Sequence, residues 1–287
     1  MNNSINFAPD ALTALARSDV ARALAEDVAG GDLTAGLVDP LLSAQAAVLA
    51  REAAVVCGCD WVNAAVLQLD PAAELVWYVR DGESCAAGQV VLQMRGNAQA
   101  LLTAERTALN FLQLLSAVAS KTAEYVERVR GTRAQIVDTR KTLPGLRLAQ
   151  KYAVRTGGGT NHRIGLYDAV LIKENHIAAA GGIAQVLERA QAVAGRANFI
   201  EIEVENLTQL AEALDAGARM VLLDNMDLPA LRHAVEINRG RAILETSGGV
   251  TLEGLRDLAE TGVDRISIGG LTKDIKAIDF SMRFQAP

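Results

Sequence analysis

Aromatic residues, cysteines and long apolar runs are scarce in this 287-residue chain, and each scarcity excludes a class of protein. Aromatic residues make up 4% of the chain, too few to suggest a surface that stacks nucleic-acid bases. The three cysteines, Cys57, Cys59 and Cys85, are odd in number and lack zinc-site spacing. We therefore expect neither a disulfide framework nor a structural metal, and a reducing compartment.

Membrane and export signals are also missing. No apolar run approaches the ~20 residues needed to cross a bilayer. The opening segment, residues 1–7, lacks a basic stretch followed by an apolar core. These absences predict a cytoplasmic protein with no membrane partner.

An excess of positive charge is absent as well. The net charge is −6, which argues against nucleic acid as a partner. Half of the residues are apolar and 22% are charged, so the chain can build a sizeable core and is not disordered. At roughly 100 to 200 residues per domain, the length suggests about two domains or one large α/β barrel.

The first part of the chain has the pattern of an α+β domain. Apolar residues recur at helical spacing over residues 11–25, and strand patterns occur at 46–56, 74–79 and 88–94. Thr103 is expected to cap a long helix that runs to about Arg130, since the stretch contains no glycine or proline. A helix of that length often bridges two domains.

Short apolar runs then alternate with helical patterns. The runs occupy residues 135–138, 169–173, 199–204, 220–224, 242–245 and 265–268. Such alternation predicts parallel strands with crossover helices, in a barrel or a doubly wound sheet. No Rossmann glycine fingerprint follows any run, which disfavours a dinucleotide fold.

Polar residues or glycines stand at the ends of all six runs. In order, the ends carry Arg140 and Lys141, Lys173, Glu203, Asp224, Glu245 with Ser247, and Gly269 with Gly270. A single polar strand end often just faces solvent. Six of them in a (β/α) barrel converge on one mouth, where barrel enzymes place their chemistry.

Positive charge is concentrated in residues 133–173. This segment has eight Lys or Arg residues and two acids, a net charge of +6, so the remaining residues carry −12. Arg147, Lys151 and Arg155 fit a solvated helix face, whereas the basic residues at strand ends and beside the 157–159 glycine loop favour an anion site.

Carboxylates and glycines complete the predicted mouth. Glu203 and Asp224 could be paired structurally with cations, but beside a phosphorylated substrate they favour Mg²⁺. Glycine-rich ends at Ser247-Gly248-Gly249 and Gly269-Gly270 suit a phosphate pocket. The residues predict a substrate with one phosphate and a second anionic group, without defining a reaction.

The same segments resemble the quinolinate phosphoribosyltransferase family. The resemblance covers nearly the whole chain and is most specific at residues 138–147 (DTRKTLPGLR) and 161–163 (NHR). Residues 26–34, 105–110, 151–159, 171–173, 201–204 and 247–249 extend it. Ala117, Ser120 and Glu174 stand where Gly, Thr and Asp are expected, and none of these departures removes a charged site residue.

The resemblance implies a glycosyltransferase of the pentosyltransferase class. Its reaction converts quinolinate and phosphoribosyl pyrophosphate to nicotinate mononucleotide, pyrophosphate and CO₂ in NAD biosynthesis. It implies an incomplete (β/α) barrel of about six parallel strands at residues 117–273. An N-terminal α+β domain at 1–116 would be joined by the C-terminal tail, 274–287. It also implies a homodimer, which could assemble further, with Arg106 of each chain completing the partner's site.

The resemblance also implies roles for individual residues. Quinolinate would be surrounded by Arg106, Arg140, His162, Arg163 and Lys173. Lys141, Glu203 and Asp224 would be catalytic, with the two acids as candidate Mg²⁺ ligands, directly or through water. Phosphoribosyl pyrophosphate would be bound by Thr139, Thr142, Ser247, Gly248, Gly249, Gly269 and Gly270.

Three other functions are compatible with parts of this pattern. A Schiff-base aldolase would use Lys173 at a strand end, although it leaves the DTRKT segment unexplained. A relative on the same scaffold, serving molybdenum transport, would take a different acceptor. A non-catalytic phosphate-binding protein would not need the complete set of charged strand ends.

Overall fold

The computed structural model describes residues 5–284, which divide into two compact units. The barrel unit contains Glu124–Thr142 and Gly159–Leu271. The N-terminal unit contains Asn6–Ala123, Leu143–Gly158 and the chain from Thr272 onward. The chain passes between the units several times, whereas the boundary predicted after residue 116 divides it once; that boundary stays a prediction.

The first part of the chain is built from short elements and one long helix. In order these are α1 (Pro9–Asp27), β1 (Ser43–Ala50), β2 (Ala54–Val55), α2 (Cys59–Leu67), β3 (Glu74–Trp77), β4 (Ser84–Cys85), β5 (Val90–Asn97) and α3 (Ala98–Arg128). Arg51 and Glu52 are exposed in a bend, which splits the strand predicted at 46–56 into β1 and β2.

Strands and helices alternate in the second part. In order these are β6 (Gln135–Val137), α4 (Arg147–Thr156), β7 (Val170–Ile172), α5 (Glu174–Ala180), α6 (Ile183–Gln191), β8 (Ile200–Val204), α7 (Leu207–Asp215), β9 (Met220–Asp224), α8 (Leu228–Asn238), β10 (Ile243–Ser247), α9 (Leu255–Ala259), β11 (Arg265–Ser267), α10 (Gly270–Lys273) and β12 (Phe280–Phe284). Single 3₁₀ turns lie at Ala35–Leu37 and Ala194–Arg196.

The N-terminal unit is an antiparallel sheet with helices. Its strand order is β12-β1-β5-β3, with the C-terminal strand paired to β1 from Ala46↔Phe284 to Ala50↔Phe280. Helices α1 and α2 are joined by a buried hydrogen bond in which Trp61 Nε1 donates to Asp19 Oδ2 at 3.0 Å. A buried acceptor that satisfies a buried indole stabilises this packing, because either group alone would lose its hydration.

The barrel unit has six parallel strands in the order β6-β11-β10-β9-β8-β7. Strands β6 and β7 follow one another in the chain but lie at opposite edges of the sheet. Between them in the chain, Thr160 makes an isolated parallel bridge to Val137 of β6. The predicted α/β fold, with an incomplete barrel and an N-terminal α+β domain, is confirmed.

Local sequence explains where the crossover helices begin. Asn206 precedes α7, and its Oδ1 accepts a hydrogen bond from the Gln209 amide at 3.0 Å. Asp227 does the same for α8, accepting from the Ala230 amide at 2.9 Å. Each side chain satisfies an amide that the helix itself cannot pair, so the two helices start directly after the polar ends of β8 and β9.

The long helix begins earlier than predicted. Strand β5 runs straight into α3, and Asn97 Oδ1 accepts from the Ala100 amide at 3.0 Å. Thr103 is therefore inside the helix, where its hydroxyl donates to Asp32 Oδ2 at 2.9 Å. The prediction of Thr103 as the cap is wrong, because an asparagine at the strand end already fills that role.

No helix within residues 5–284 is long and apolar enough to cross a membrane.

Gly157, in the N-terminal unit, is required by packing rather than by its backbone angles. A Cβ there would clash with the Ala119 carbonyl oxygen and lie 2.8 Å from Thr122 Cβ. We expect Gly157→Ala to lower the free energy of unfolding by about 1–3 kcal/mol, measured by urea denaturation. Gly195→Ala is the matched control, since a Cβ there meets nothing within 4 Å. Equal stability of both variants would contradict this account.

Candidate active site

The predicted mouth lies at the carboxyl ends of the barrel strands. Residues 138–142 follow β6, Lys173 follows β7, Glu203 lies near the end of β8, Asp224 ends β9, and Ser247 ends β10. Gly269 and Gly270 follow β11. Because all six strands run in parallel, these residues share one edge of the sheet. The barrel unit thus contains every predicted site residue except Arg106, which is exposed on α3 in the N-terminal unit.

Close packing at Gly269 brings the segment after β6 against the end of β11. A Cβ at Gly269 would lie 2.9 Å from Lys141 Cδ and 3.5 Å from Thr139 Oγ1. Thr139 Oγ1 accepts from the Lys141 amide at 3.0 Å, and the Thr142 amide donates to the Arg140 carbonyl at 3.0 Å. These contacts hold the four residues in a tight turn beside the glycine.

Gly248 is fixed by a residue that the sequence did not single out. Asn225 follows Asp224 with a left-handed φ of 51°, its amide donates to the Ser247 carbonyl at 3.1 Å, and its Nδ2 donates to Asp224 Oδ2 at 2.9 Å. A Cβ at Gly248 would clash with Asn225 Oδ1, and Gly248 itself has φ of 108°. The Ser247 loop and the Asp224 carboxylate are therefore positioned together.

Lys173 and Glu203 form an ion pair. Lys173 Nζ lies 3.2 Å from Glu203 Oε2. Lys173 is exposed at the start of α5, and Glu203 is half-buried on the neighbouring strand. A predicted quinolinate ligand and a predicted catalytic acid are thereby placed together at the mouth.

Asp138 is fully buried and holds the NHR segment beside β6. Its Oδ1 accepts from the His162 amide at 2.8 Å, and its Oδ2 accepts from Asn161 Nδ2 at 2.7 Å. Arg163 is buried and its Nη1 donates to the Ala169 carbonyl at 3.2 Å. Asp138 is recognisable in the sequence only as part of a motif, and no role is predicted for it there.

A polar cluster lies inside the barrel, next to His162. His162 Nε2 is 2.8 Å from Glu201 Oε2 and 3.6 Å from Glu245 Oε1, and Arg265 Nε is 3.1 Å from Glu245 Oε2. Both glutamates have no exposed surface. The interpretation of Glu245 as a residue of the mouth is wrong, because β10 continues to Ser247 in register with Asp224 and leaves Glu245 in the interior.

Burial shapes the charge states of these groups. Desolvation raises the pKa of Glu201 to about 7 against the opposing charges of Arg265 and Arg163. Desolvation also raises the pKa of Glu245 to about 7, and the nearby Glu201 carboxylate adds to the effect. Burial and the neighbouring Arg140 charge lower the pKa of Arg163.

Arg140 and Arg163 thus form a pair of cations that disfavour one another. Two like charges in a partly buried place are stabilised by an anion that both can contact. Arginine forks bind carboxylates in bidentate fashion, so the pair suits a substrate with more than one carboxylate.

Two groups of residues qualify as metal ligands by chemistry. His162, Glu201 and Glu245 bring ligand atoms within 4.8 Å of one another, in a buried place and with an imidazole. Mg²⁺ prefers oxygen ligands and retains waters, which fits the half-buried Glu203 and Asp224 better. Glu203 is in register with Leu222, two residues before Asp224, so both carboxylates lie on the same face of the sheet.

Comparison with known proteins identifies matches over both parts of the chain. Residues 32–116 match the family model of the quinolinate phosphoribosyl transferase N-terminal domain, and residues 118–283 match that of the C-terminal domain. The chain is 40% identical over 257 residues to a probable nicotinate-nucleotide pyrophosphorylase [carboxylating] of Bacillus subtilis, covering 90% of this chain and 89% of the relative.

A second relative and a solved structure also match the chain over nearly its whole length. The nicotinate-nucleotide pyrophosphorylase [carboxylating] of Mycobacterium leprae is 41% identical over 277 residues, covering 93% of this chain and 96% of the relative. The solved structure of nicotinate-nucleotide pyrophosphorylase from Francisella tularensis superposes with a TM-score of 0.92 at 42% identity, covering 99% of both chains.

Glu245 should make stability fall with rising pH. Its raised pKa means that the folded chain keeps a proton that the unfolded chain releases above its ordinary pKa of 4.5. The contribution of Glu245 to the free energy of unfolding is therefore fully present below pH 4.5 and is lost as the pH rises to about 7. Glu245→Gln removes this titration, so its Tm should gain on the parent over that range in thermal melts. A constant difference in Tm across the range would refute the assignment.

Proposed function

The chain belongs to the quinolinate phosphoribosyltransferase family, and we propose from that membership and from its site that it phosphoribosylates quinolinate. The enzyme is a pentosyltransferase. It converts quinolinate and phosphoribosyl pyrophosphate to nicotinate mononucleotide, pyrophosphate and CO₂, a step of NAD biosynthesis.

The observation that carries this function is the Arg140 and Arg163 pair. Quinolinate presents two carboxylates on one small ring, and binding it strips water from both. Arg163 is buried, Arg140 is half-buried, and their like charges disfavour one another, so the pair offers the charge that replaces this water. Lys173, at the end of β7, supplies a third cation at the same mouth.

The transfer step needs positioning rather than a covalent nucleophile. The pyridine nitrogen of quinolinate attacks the anomeric carbon of the ribose as pyrophosphate leaves, and positive charge develops on the ribose. Glu203 and Asp224 stabilise that positive charge, while Lys141 stabilises the negative charge of the leaving pyrophosphate. The hydroxyl groups of Thr139 and Thr142 donate hydrogen bonds to phosphoribosyl pyrophosphate, and the glycines at the ends of β10 and β11 bind its 5′-phosphate.

Decarboxylation follows from the chemistry of the new bond. Once the ring nitrogen carries the ribose, it is a quaternary cation and withdraws electrons from the adjacent carbon. The carboxylate on that carbon leaves as CO₂, and its electron pair remains on the ring until a proton replaces it. Arg140 and Arg163 hold the dicarboxylate while this takes place.

Glu203 and Asp224 would hold Mg²⁺, directly or through water. Their oxygen chemistry and their common face of the sheet fit a hard cation. When bound, the ion would neutralise charge on the pyrophosphate group. In the Schiff-base alternative, Lys173 would have to leave its ion pair with Glu203 before it could attack a carbonyl carbon.

A homodimer would bring Arg106 into the site of the partner chain. Arg106 is exposed one helical turn after Thr103, whose hydroxyl is bonded to Asp32. The segment that follows Asp32 exposes large apolar side chains, with Leu33 at 92%, Leu37 at 85% and Leu41 at 91% exposure. Exposed leucines beside a cation fit a second copy of the chain, since monomers seldom display such patches.

The three free cysteines agree with a cytoplasmic location.

The function is tested by incubating the protein with quinolinate, phosphoribosyl pyrophosphate and Mg²⁺. CO₂ and pyrophosphate should be released in equal amounts, and omission of Mg²⁺ should abolish the release. Nicotinate, which has one carboxylate, is the matched control and should not replace quinolinate. Turnover with another acceptor but not with quinolinate would favour the relative of molybdenum transport instead.

Arg140→Ala should raise the KM for quinolinate while sparing the fold. It removes one partner of a desolvated carboxylate, which costs about 2–5 kcal/mol by analogy with buried charge pairs. Steady-state kinetics and calorimetry measure the loss. Arg189→Ala, which removes an exposed arginine of α6, is the matched control. An unchanged dissociation constant for quinolinate would exclude Arg140 from the site.

The shared site is tested by mixing two inactive variants. Chains with Arg106→Ala and chains with Lys141→Ala should be inactive alone. If each site uses Arg106 from the partner, a mixed dimer has one intact site, and random exchange should restore about a quarter of the parent activity. Absence of recovery after exchange is verified by mass spectrometry would show that each site is contained in one chain.

A further inference from the structure

Both ring nitrogens of His162 are engaged within the barrel unit. Nδ1 accepts a hydrogen bond from the Arg163 amide at 2.8 Å, so Nδ1 carries no proton. In the neutral ring the proton is then on Nε2, which lies 2.8 Å from Glu201 Oε2. The contacts define one tautomer, with Nε2–H donating to the glutamate.

The ring thereby controls the peptide that leads into Arg163. The Arg163 amide is held by the ring, and the His162 amide is held by Asp138 at 2.8 Å. The peptide groups on both sides of His162 are therefore fixed by buried acceptors. The second of these peptide groups contains the backbone nitrogen of Arg163. The direction in which the Arg163 side chain leaves the backbone therefore depends on the position of the His162 ring.

We propose that Glu201 is a positioning residue for the quinolinate site: it orients His162, and His162 orients Arg163. Oε2 of Glu201 faces His162, and its Oε1 is buried without a hydrogen-bond partner. Among the described residues, no second hydrogen bond therefore competes with His162 for this carboxylate. His162 then acts through the peptide that it holds rather than through a ring nitrogen offered to the substrate.

The His162 ring has further contacts inside the barrel unit. Phe199, two residues before Glu201 in the chain, packs edge-on against the His162 ring with centroids 5.2 Å apart. Glu245 Oε1 lies 3.6 Å from Nε2 of the same ring, and Glu245 is in register with Arg265 on the adjacent strand. Glu201 accepts the Nε2 proton in either of its own protonation states, so the orientation does not depend on its charge.

The tautomer is measured directly by ¹H–¹⁵N correlation of the full-length protein, without substrate. The chain has three histidines, so His176→Gln and His233→Gln assign the remaining signals to His162. We expect the Nε2–H form at neutral pH, retained in Glu201→Gln and lost in Glu201→Leu. Finding the Nδ1–H form, or the same spectrum in Glu201→Leu, would overturn the proposal.

The kinetic test separates positioning from general destabilisation, and it rests on the proposed function. Glu201→Leu leaves the Nε2–H donor unsatisfied and should raise the KM for quinolinate roughly tenfold, with the KM for phosphoribosyl pyrophosphate as in the parent. Glu201→Gln should restore the quinolinate KM, because an amide oxygen still accepts from Nε2–H. Equal increases of both KM values, or no rescue by glutamine, would reduce Glu201 to a structural residue.

Asn238→Ala is the matched control for loss of a buried polar group. Asn238 is buried in the same unit and bonds both polar groups of Ala242 at 2.8 and 2.9 Å, at the start of β10. This variant should lower Tm while leaving both KM values unchanged. The tautomer measurement needs no turnover, so a parent that fails to use quinolinate would refute the proposed function and leave the orientation of His162 to be decided separately by its spectrum.

Discussion

The active site depends on the buried carboxylate of Asp138. It stands at the end of β6, an edge strand of the parallel sheet, and accepts hydrogen bonds from Asn161 and from the His162 amide. The NHR segment lies beside this edge, where Thr160 bridges to Val137. A buried carboxylate needs such donors to offset its lost hydration, so the requirement of Asp138 determines where Arg163 begins.

Charge segregation along the chain has a counterpart inside the barrel. The basic residues of the mouth follow β6 and β7, whereas the buried acids Glu201 and Glu245 lie on β8 and β10 of the same sheet. Glu201 opposes the effect of burial and of the Arg140 charge, both of which lower the pKa of Arg163. The net charge of −6 therefore describes neither the basic segment at residues 133–173 nor the acidic remainder of the chain. The basic segment attracts small anions, whereas the acidic remainder repels a nucleic acid.

Much of this arrangement follows from sequence periodicity. The six parallel strands are predictable because each apolar run and its crossover helix repeat the same unit, and the run at 220–224 coincides with β9. The end of β10 was not predictable, because pairing with Asp224 extends it to Ser247. Glu201, flanked by Ile200 and Ile202, has no local signal that distinguishes it from a strand residue facing solvent. Its partner His162 is 39 residues away.

Glycines at the mouth show why a motif alone leaves a mechanism open. A glycine-rich strand end predicts a phosphate pocket, yet neighbouring protein atoms also require glycine at two of these positions. A side chain at Gly248 would meet Asn225, and one at Gly269 would meet Lys141. Gly249, by contrast, has open space around it and a φ of 56°. The first two glycines let catalytic segments approach each other, which makes assembly of the mouth as strong a reason for these residues as phosphate binding.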